Sequence, residues 1–301
     1  MQSGKPIRQS GRAGLFAENN TERLMLTPAI IALAIISIFP LAYMIYISMY
    51  DFSMSVNHPT FVGMNNWVRV LKSSTFWACW KRTGYIAGIG IVIQMVFGVG
   101  VALLIYQLPK GQNLILTLFM LPVFVAPIVA GLLGRFLLNS TYGFYSWLLR
   151  VLFRYSGEVF ANPTGAVIGI ILIDVWEWTP LVTMIVLAGL QSMNVEVLEA
   201  ATIDGANYVE RLRYVVFPLV SRTMLVALLI RAMDILRYVD TITIITEGGP
   251  ADATRTAGYY LMQTAFRFQN FGQAAVMGIF MIVVITILGK LFIRLMGRDV
   301  M

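Results

Sequence analysis

Six long apolar stretches divide this sequence, and each is long enough to cross a lipid bilayer as a helix. A spanning helix needs about 20 mostly apolar residues. The stretches are Leu24–Tyr50, Gly84–Tyr106, Leu114–Leu138, Gly165–Leu190, Leu219–Ile245 and Phe271–Met296. Only 12% of the residues are charged, which is about half the share found in soluble domains. The pattern predicts an all-α, polytopic membrane protein with six transmembrane helices.

The basic residues between the stretches indicate which side of the membrane holds the chain ends. Six crossings place both termini on one side, together with the polar segment around residues 191–218. That side carries eleven Lys and Arg residues and the other side eight, so the positive-inside rule favours cytoplasmic termini. We expect a cytoplasmic N-terminal segment at residues 1–23, one membrane domain at 24–296 and a cytoplasmic C-terminus at 297–301.

The residue inventory excludes several kinds of chemistry. The single cysteine, Cys79, and the single histidine, His58, cannot build a disulfide or a His/Cys metal site. Gly289-Lys290 lies inside an apolar stretch and is followed by Leu291, so it is not the phosphate loop of an ATPase. We attribute the net charge of +7 to loops that face anionic lipid and the cytoplasm, not to nucleic acid. We expect no catalytic residue, metal or cofactor on this chain.

The segment between the fourth and fifth stretches is polar and long, although a short loop would connect two helices. Residues 199–218 read EAATIDGANYVERLRYVVFP. Gln191–Asn207 is compatible with a helix that exposes acidic side chains, and Gly205 can end it. Tyr208–Val216 can form a second short helix, after which Pro218 would start the fifth span. The pattern predicts a compact two-helix projection; an amphipathic connector on the membrane surface is the alternative.

The same segment resembles the EAA signature of the permease subunits of bacterial ABC importers. Glu199-Ala200-Ala201 is followed after three residues by Gly205 and, nine residues later, by Val215-Val216-Phe217-Pro218; Asp204-Gly205-Ala206 strengthens the match. Other segments are similar to the carbohydrate subgroup, in particular the first permease of maltose-type and glycerol-3-phosphate-type importers. These segments are Phe61-Val62-Gly63-Met64-Asn65-Asn66-Trp67, Trp176-Glu177-Trp178-Thr179-Pro180, Asp240, Thr246-Glu247-Gly248-Gly249-Pro250, Ala265-Phe266-Arg267 and Phe271-Gly272-Gln273-Ala274-Ala275. The resemblance covers roughly residues 20–296.

Two departures from the family pattern are visible. Arg222 stands where many members have a second proline, four residues after Pro218. The maltose permease itself has additional N-terminal spans and a large external domain, whereas this sequence matches the simpler six-span members.

The resemblance implies a type I ABC importer permease fold with a cytoplasmic coupling-helix loop. In the family, this loop docks into a cleft on the ATP-binding subunit, and ATP-driven closure of two such subunits rocks the spans between inward-open and outward-open states. By implication Glu199 pairs with a basic group of the ATPase, Ala200 and Ala201 permit close packing, and Gly205 makes the turn. The implied coupling residues are Glu199, Ala200, Ala201, Asp204, Gly205, Ala206 and Pro218.

The resemblance also implies partners and a location. The partners would be a second permease in a heterodimer, two ATPase subunits that hold ATP and Mg, an external solute-binding protein, a carbohydrate and membrane lipid. The protein would lie in the bacterial inner membrane, with both termini in the cytoplasm. The loops at Asp51–Thr83, Asn139–Thr164 and Thr246–Asn270 would receive the binding protein.

Charged residues inside the apolar stretches need an explanation, because an unpaired charge in a bilayer costs at least about 2.5 kcal/mol. Asp174 and Glu177, and likewise Arg231, Asp234 and Arg237, recur at three-residue spacing and so share helix faces. They predict either an ion-pair network that fixes helix packing or a polar pathway for sugar hydroxyls. The pathway candidates are Asp174, Trp176, Glu177, Trp178, Arg231, Asp234, Arg237 and Asp240, with Arg135 near the end of the third stretch.

Two alternatives to an ATP-driven importer remain open at this point. An ion-coupled secondary transporter would use Asp174, Glu177 and Asp234 as coupling carboxylates. An intramembrane aspartyl enzyme would need two aspartates, but Asp174, Asp234 and Asp240 lie in no recognised catalytic motif.

Overall fold

The computed structural model describes residues 13–53 and 58–298 of the chain, and most of these residues lie in helices. The helices are α1 (Ala13–Ser48), α2 (Asn65–Lys72), α3 (Ser74–Tyr106), α4 (Gln112–Phe119), α5 (Pro127–Leu137), α6 (Phe144–Phe153), α7 (Pro163–Gln191), α8 (Val195–Ile203), α9 (Tyr208–Arg211), α10 (Phe217–Ile235), α11 (Asp240–Ile245), α12 (Ala257–Met262) and α13 (Phe271–Arg298). Two strands of two residues each, β1 (Tyr50–Asp51) and β2 (Thr60–Phe61), pair antiparallel as a small hairpin. The expected terminal segments at 1–23 and 297–301 lie partly outside the described residues.

Among the described residues, five helices are long and apolar enough to cross a membrane. They are Met25–Ser48, Ser74–Tyr106, Pro163–Gln191, Tyr208–Ile235 and Phe271–Arg294. The prediction of an all-α polytopic membrane protein is confirmed, but the count of six transmembrane helices is not. Several predicted bounds also differ, since α3 begins at Ser74 and not at Gly84.

The third predicted span is interrupted in its middle. α4 ends at Phe119, a single 3₁₀ turn covers Leu121–Phe124, and α5 begins at Pro127. Pro122 and Pro127 supply no backbone N–H, and a residue before proline is pushed out of the helical region. Ala126 accordingly has an extended backbone, with φ −62° and ψ 137°.

The bundle has two ends that carry different structures. The hairpin follows α1, α6 follows α5, and α11 and α12 follow α10; all lie at one end of the bundle. At this end Ser53 bridges to Asn270, and the Tyr85 hydroxyl donates to the Ala253 carbonyl. We call this the hairpin end. α8 and α9 lie at the other, which we call the projection end. The interrupted third segment runs between the two.

α3, α7 and α10 form the packed centre of the bundle. A Cβ added to Gly98 of α3 would stand 2.6 Å from Val182 Cγ1 of α7, and one added to Gly189 would stand 2.8 Å from Thr223 Oγ1 of α10. Thr183 Oγ1 also donates to the Gly98 carbonyl at 3.2 Å. Small residues let the backbones approach closely, which is the main packing device available to helices in lipid.

The fifth predicted span, Leu219–Ile245, is also divided. α10 ends at Ile235, and a turn precedes α11 at Asp240. Neither Gly nor Pro marks this break in the sequence. Tertiary contacts hold it, because Gly258 of α12 packs against Val239 and the Arg237 backbone, and Thr256 Oγ1 donates to the Tyr238 carbonyl at 3.4 Å.

At the hairpin end, two of the sequence motifs meet in one structural joint. The Asn66 amide is buried and donates to the carbonyls of Ser48 and Tyr50, at 3.0 and 2.8 Å. A Cβ at Gly272 would stand 2.4 Å from the Tyr50 carbonyl oxygen, so only glycine fits there. The motifs at residues 61–67 and 271–275 therefore hold the end of α1 against the start of α13.

Candidate functional site

The projection between α7 and α10 is two short helices joined at a glycine, as the sequence predicts. Gly205 has φ +82°, a left-handed conformation that favours glycine. Its N–H donates to the Thr202 carbonyl at 3.1 Å, and the Ala206 N–H donates to the Ala201 carbonyl at 3.0 Å. These two bonds form a Schellman motif, which satisfies the last carbonyls of α8.

The second helix begins immediately after this turn. Asn207 Oδ1 accepts from the Glu210 N–H at 3.0 Å, and the Glu210 carboxylate accepts from the Asn207 N–H at 2.8 Å. This reciprocal capping box fixes where α9 starts. We call residues 194–211, from the Asn194 cap of α8 to the end of α9, the α8–α9 projection.

Pro218 does not start a separate helix, contrary to the sequence prediction. α9 continues into α10 through a π-helical turn at Leu212–Val216, where the Phe217 N–H donates to the Leu212 carbonyl. Pro218 lacks an N–H, and its ring crowds the carbonyl four residues earlier, so a wider turn just before it relieves the conflict. α9 and the fifth span are consequently one continuous helix, Tyr208–Ile235.

The inner face of the α8–α9 projection is anchored on the ends of three long helices. Leu198 and Leu212 pack against the core that Ile105, Leu190 and Val216 help to form. The Gln107 amide at the end of α3 donates to the Tyr208 hydroxyl at 2.7 Å, and Arg211 Nη1 donates to Thr202 Oγ1 at 2.8 Å. The projection is therefore packed directly on α3, α7 and the start of α10.

The outer face of the α8–α9 projection is acidic and apolar together. Ile203 is 86% exposed, and Val209 is exposed beside it. Of the predicted coupling residues, Glu199, Ala200, Asp204, Gly205 and Pro218 are exposed, while Ala201 and Ala206 are half-buried. Ile203 and Val209 were not singled out in the sequence.

A second site lies inside the bundle, around a buried arginine. Arg231 of α10 is 1% exposed, and its Nη2 donates to both carboxylate oxygens of Asp174 of α7, at 3.0 Å each. Its Nη1 donates to Asp234 Oδ2 at 2.6 Å, and its Nε donates to Gln94 Oε1 of α3 at 2.9 Å. The Gln94 amide in turn donates to Asp174 Oδ2 at 2.6 Å.

We call Gln94, Asp174, Arg231 and Asp234 the Arg231 cluster. It joins the three central helices through one guanidinium whose Nε, Nη1 and Nη2 all donate. A buried ion pair is retained only where geometry and extra hydrogen bonds compensate the loss of water, and both conditions hold here. Gln94 was missed in the sequence, because one uncharged polar residue in an apolar stretch is not distinctive.

The other pathway candidates divide into two groups. Trp178 lies under Arg231, with the guanidinium carbon 4.9 Å from the ring centroid, and exposed Arg237 reaches Asp234 at 3.7 Å. Trp176 is exposed on a different face of α7, where it lines a cavity with α5 and α6. Asp240 is exposed at the start of α11. Trp176 and Asp240 thus do not contact the Arg231 cluster.

Glu177 lies one turn beyond Asp174, toward the projection end. It is 0% exposed, and neither carboxylate oxygen has a hydrogen-bond partner among the described residues. An ionised carboxylate in such a place would be strongly disfavoured. Glu177 is therefore an uncompensated polar group beside the Arg231 cluster.

Long apolar helices around a buried charge cluster, with a capped polar projection at one end, are typical of a polytopic membrane protein, and charges inside the spans are common in membrane proteins that move solutes. Comparison with known sequences identifies its family. The chain belongs to the binding-protein-dependent transport system inner membrane components, whose family model matches residues 14–301.

Individual relatives and a solved structure agree with this family. The trehalose/maltose transport system permease protein of Thermococcus litoralis is 30% identical over 249 residues, which cover 83% of each chain. The sulfoquinovosyl glycerol transport system permease protein of Agrobacterium fabrum is 28% identical, over 90% of this chain and 89% of its own. In fold, the chain is similar to the crystal structure of a bacterial ABC transporter involved in alginate import, with a TM-score of 0.80, 21% identity and coverage of 94% of this chain and 98% of that chain.

Proposed function

We propose that the chain is the transmembrane permease subunit of an ATP-driven importer, and that its solute is a carbohydrate or a related polyol. An external solute-binding protein delivers the solute, and separate subunits hydrolyse ATP. The family match along residues 14–301 carries this proposal. The relatives named for trehalose/maltose and sulfoquinovosyl glycerol transport support the solute class.

The α8–α9 projection is the surface on which an ATPase subunit docks in this proposal. Exposed Ile203 and Val209 supply apolar contact area, and Glu199 and Asp204 supply negative charge for a basic rim on the partner. The half-buried Ala201 and Ala206 keep the two helices close at the Gly205 turn. Pro218 shapes the π-helical turn that carries movement from the projection into α10.

The assembly contains two membrane chains and two ATPase chains. A second, similar permease completes the pathway, and ATP with Mg is held by the ATPase subunits. The projection end faces the cytoplasm together with both termini, in keeping with the larger number of Lys and Arg residues on that side. The hairpin end faces outward and receives the binding protein, and lipid surrounds the assembly.

In this proposal, the main role of the Arg231 cluster is structural, because it joins the three central helices. With Asp174 and Asp234 both paired to Arg231, the cluster presents no free cation to an acidic solute. Trp178 and Glu177 lie beside it and become available to solute hydroxyls only when the bundle opens.

Family membership favours the importer over an ion-coupled secondary transporter, and reconstituted uptake tests this choice. The assembled permeases and ATPases in liposomes, supplied with binding protein, should take up trehalose or maltose only with ATP inside. Uptake driven by a sodium or proton gradient without nucleotide would instead support the secondary transporter.

The docking role is tested at Gly205. Gly205→Pro cannot adopt φ +82° and removes the hydrogen bond to Thr202. The variant should assemble in the membrane yet lose most ATP-driven uptake, whereas Gly205→Asn, which tolerates the left-handed conformation, should retain it. Undiminished uptake by Gly205→Pro would contradict the docking role.

A further inference from the structure

A cavity opens at the hairpin end, where the end of α5 meets the segment before α7 and the loop after α11. Its volume is about 410 Å³, and Arg135, Asn139, Glu158, Phe160 and Pro250 help to line it. Small-molecule sites in proteins typically occupy roughly 300–1,000 Å³. None of these residues belongs to the α8–α9 projection or to the Arg231 cluster.

Three polar side chains in this wall are fixed by backbone groups and keep further hydrogen-bonding capacity. Asn139 Oδ1 accepts from the N–H groups of Thr141 and Tyr142, at 2.9 and 3.4 Å. Within the described residues, its Nδ2 has no partner. Glu158 Oε2 accepts from the Ser140 N–H at 3.3 Å, and Arg135 Nη1 donates to the Ile244 carbonyl at 3.1 Å.

The polar groups in this wall that keep hydrogen-bonding capacity include both donors and acceptors. The Asn139 amide and the rest of the Arg135 guanidinium are donors, and the second Glu158 oxygen is an acceptor. A sugar hydroxyl donates one hydrogen bond and accepts others, so it is complementary to a wall that offers both.

The charge and shape of the cavity favour an uncharged ring. Arg135 and Glu158 carry opposite charges, so the wall has no net charge for an acidic solute to neutralise. Phe160 adds an apolar surface, and its ring is held in place because Gly169 leaves room for it: a Cβ there would stand 2.7 Å from Phe160 Cε1.

The opposite wall is held together by hydrogen bonds of its own. The Thr246 and Thr254 hydroxyls share a hydrogen bond of 2.7 Å, and Thr254 Oγ1 donates to the Gly249 carbonyl at 2.8 Å. An ion pair between Glu247 and Arg267 closes the same loop. A preorganised wall lowers the entropy that binding costs.

We propose that this cavity is a receiving site for one uncharged sugar ring, which holds the solute at the hairpin end before it reaches the Arg231 cluster. The inference rests on the proposed function and adds a place and a solute class to it. Arg135, Asn139 and Glu158 bind hydroxyl groups, and Phe160 packs against the C–H face of the ring.

Thiol labelling tests the site without any need for ATP. The native Cys79 is 0% exposed, so a cysteine introduced in the cavity is the main target of a thiol reagent. Ala161→Cys lies in the cavity wall and Ser156→Cys lies outside it; both positions are exposed. In the assembled transporter, trehalose or maltose at ten times its dissociation constant should slow labelling of Ala161→Cys about tenfold and leave Ser156→Cys unchanged.

A second substitution shows whether the polar side chains of the wall cause the protection by sugar. Asn139→Asp keeps the acceptor for Thr141 and the side-chain size but removes the Nδ2 donor, so sugar protection should require about three- to tenfold more sugar. Arg154→Gln, an exposed change outside the cavity, should leave protection unaltered.

The outcomes separate this inference from the proposed function. ATP-driven uptake by the wild type, with no protection of Ala161→Cys by either disaccharide, would overturn the receiving site and leave the importer standing. Protection by sn-glycerol 3-phosphate alone would overturn the assignment of an uncharged sugar. Failure of Ala161→Cys to react in the absence of sugar would show that the assembled transporter closes the cavity, which also overturns the site.

Discussion

Arg231 stabilises the bundle mainly because its removal would leave its carboxylate partners without a counter-charge. Asp174 is as deeply buried as Arg231, and breaking a buried pair typically costs about 3–5 kcal/mol. Arg231→Met should therefore lower the thermal midpoint of the purified complex strongly, while the double variant Arg231→Met, Asp174→Asn should recover much of the loss. Arg237→Met is the matched control: its side chain is 62% exposed, so it should cost less than about 1 kcal/mol. Equal losses at both arginines would contradict the cluster.

Gln94 tests whether the Arg231 cluster depends on its one uncharged member. Gln94→Leu removes a donor to Asp174 and an acceptor for Arg231, both buried, and should cost about 1–3 kcal/mol. Gln94→Glu keeps the acceptor but places a third carboxylate around one guanidinium. We expect it to destabilise more than Gln94→Leu does, measured as the thermal midpoint in detergent. A neutral Gln94→Leu would mean that the ion pairs alone hold the three helices.

For individual residues, the sequence predicts that the buried charges pair, but it does not predict the geometry of the Arg231 cluster. Arg231 and Asp234 could be paired from their three-residue spacing, since helical neighbours are fixed by local geometry. Asp174 and Gln94 lie 57 and 137 positions from Arg231, and only tertiary packing brings them together. The capping box at Asn207 and Glu210 is by contrast a local pattern, because its two partners are three residues apart.

Among the elements, glycines of α3 look alike in the sequence but differ in the structure. Gly98 faces α7, where an added Cβ would stand 2.9 Å from Val182 Cβ, whereas a Cβ at Gly100 would meet nothing within 4 Å. Gly98→Ala should separate α3 from α7 and cost about 1–3 kcal/mol. Gly100→Ala should be neutral or slightly stabilising, because alanine is the better helix former. Thermal unfolding of the two variants side by side measures the difference, and similar midpoints would exclude close packing at Gly98.

The helix breaks show where sequence patterns are sufficient and where they are not. Pro122 and Pro127 carry a local reason for the interrupted third segment, so that break could have been predicted from proline chemistry. The turn after Ile235 has no such local cause, since it depends on α12 packing against Val239. Apolar stretches in a sequence predict which segments lie in lipid, but they do not predict whether the helix within each segment is continuous.

Over the whole molecule, one set of helices connects the two ends. Phe217 and Arg231 are fourteen residues apart on α10, which is about 21 Å along the helix axis. The α8–α9 projection is packed on α3, α7 and α10 at one end, and the Arg231 cluster joins the same three helices deep inside the bundle. The same three helices thus carry both the projection and the cluster, which is the arrangement that the proposed docking of an ATPase requires.

The orientation of the molecule is the remaining requirement, because a cytoplasmic ATPase can reach the projection only if that end faces the cytoplasm. Ile203 at the projection end and Phe153 at the hairpin end are 86% and 73% exposed, and the native Cys79 is buried. With the permease in membranes that lack the ATPase subunits, so that nothing covers the projection, a membrane-impermeant thiol reagent should label Phe153→Cys and spare Ile203→Cys on intact cells, and on inside-out vesicles the pattern should reverse. The basic residues favour this orientation by eleven to eight, a modest excess, so labelling is a stringent test. Labelling of Ile203→Cys from outside intact cells would place the projection beyond the reach of any cytoplasmic ATPase, whatever its shape.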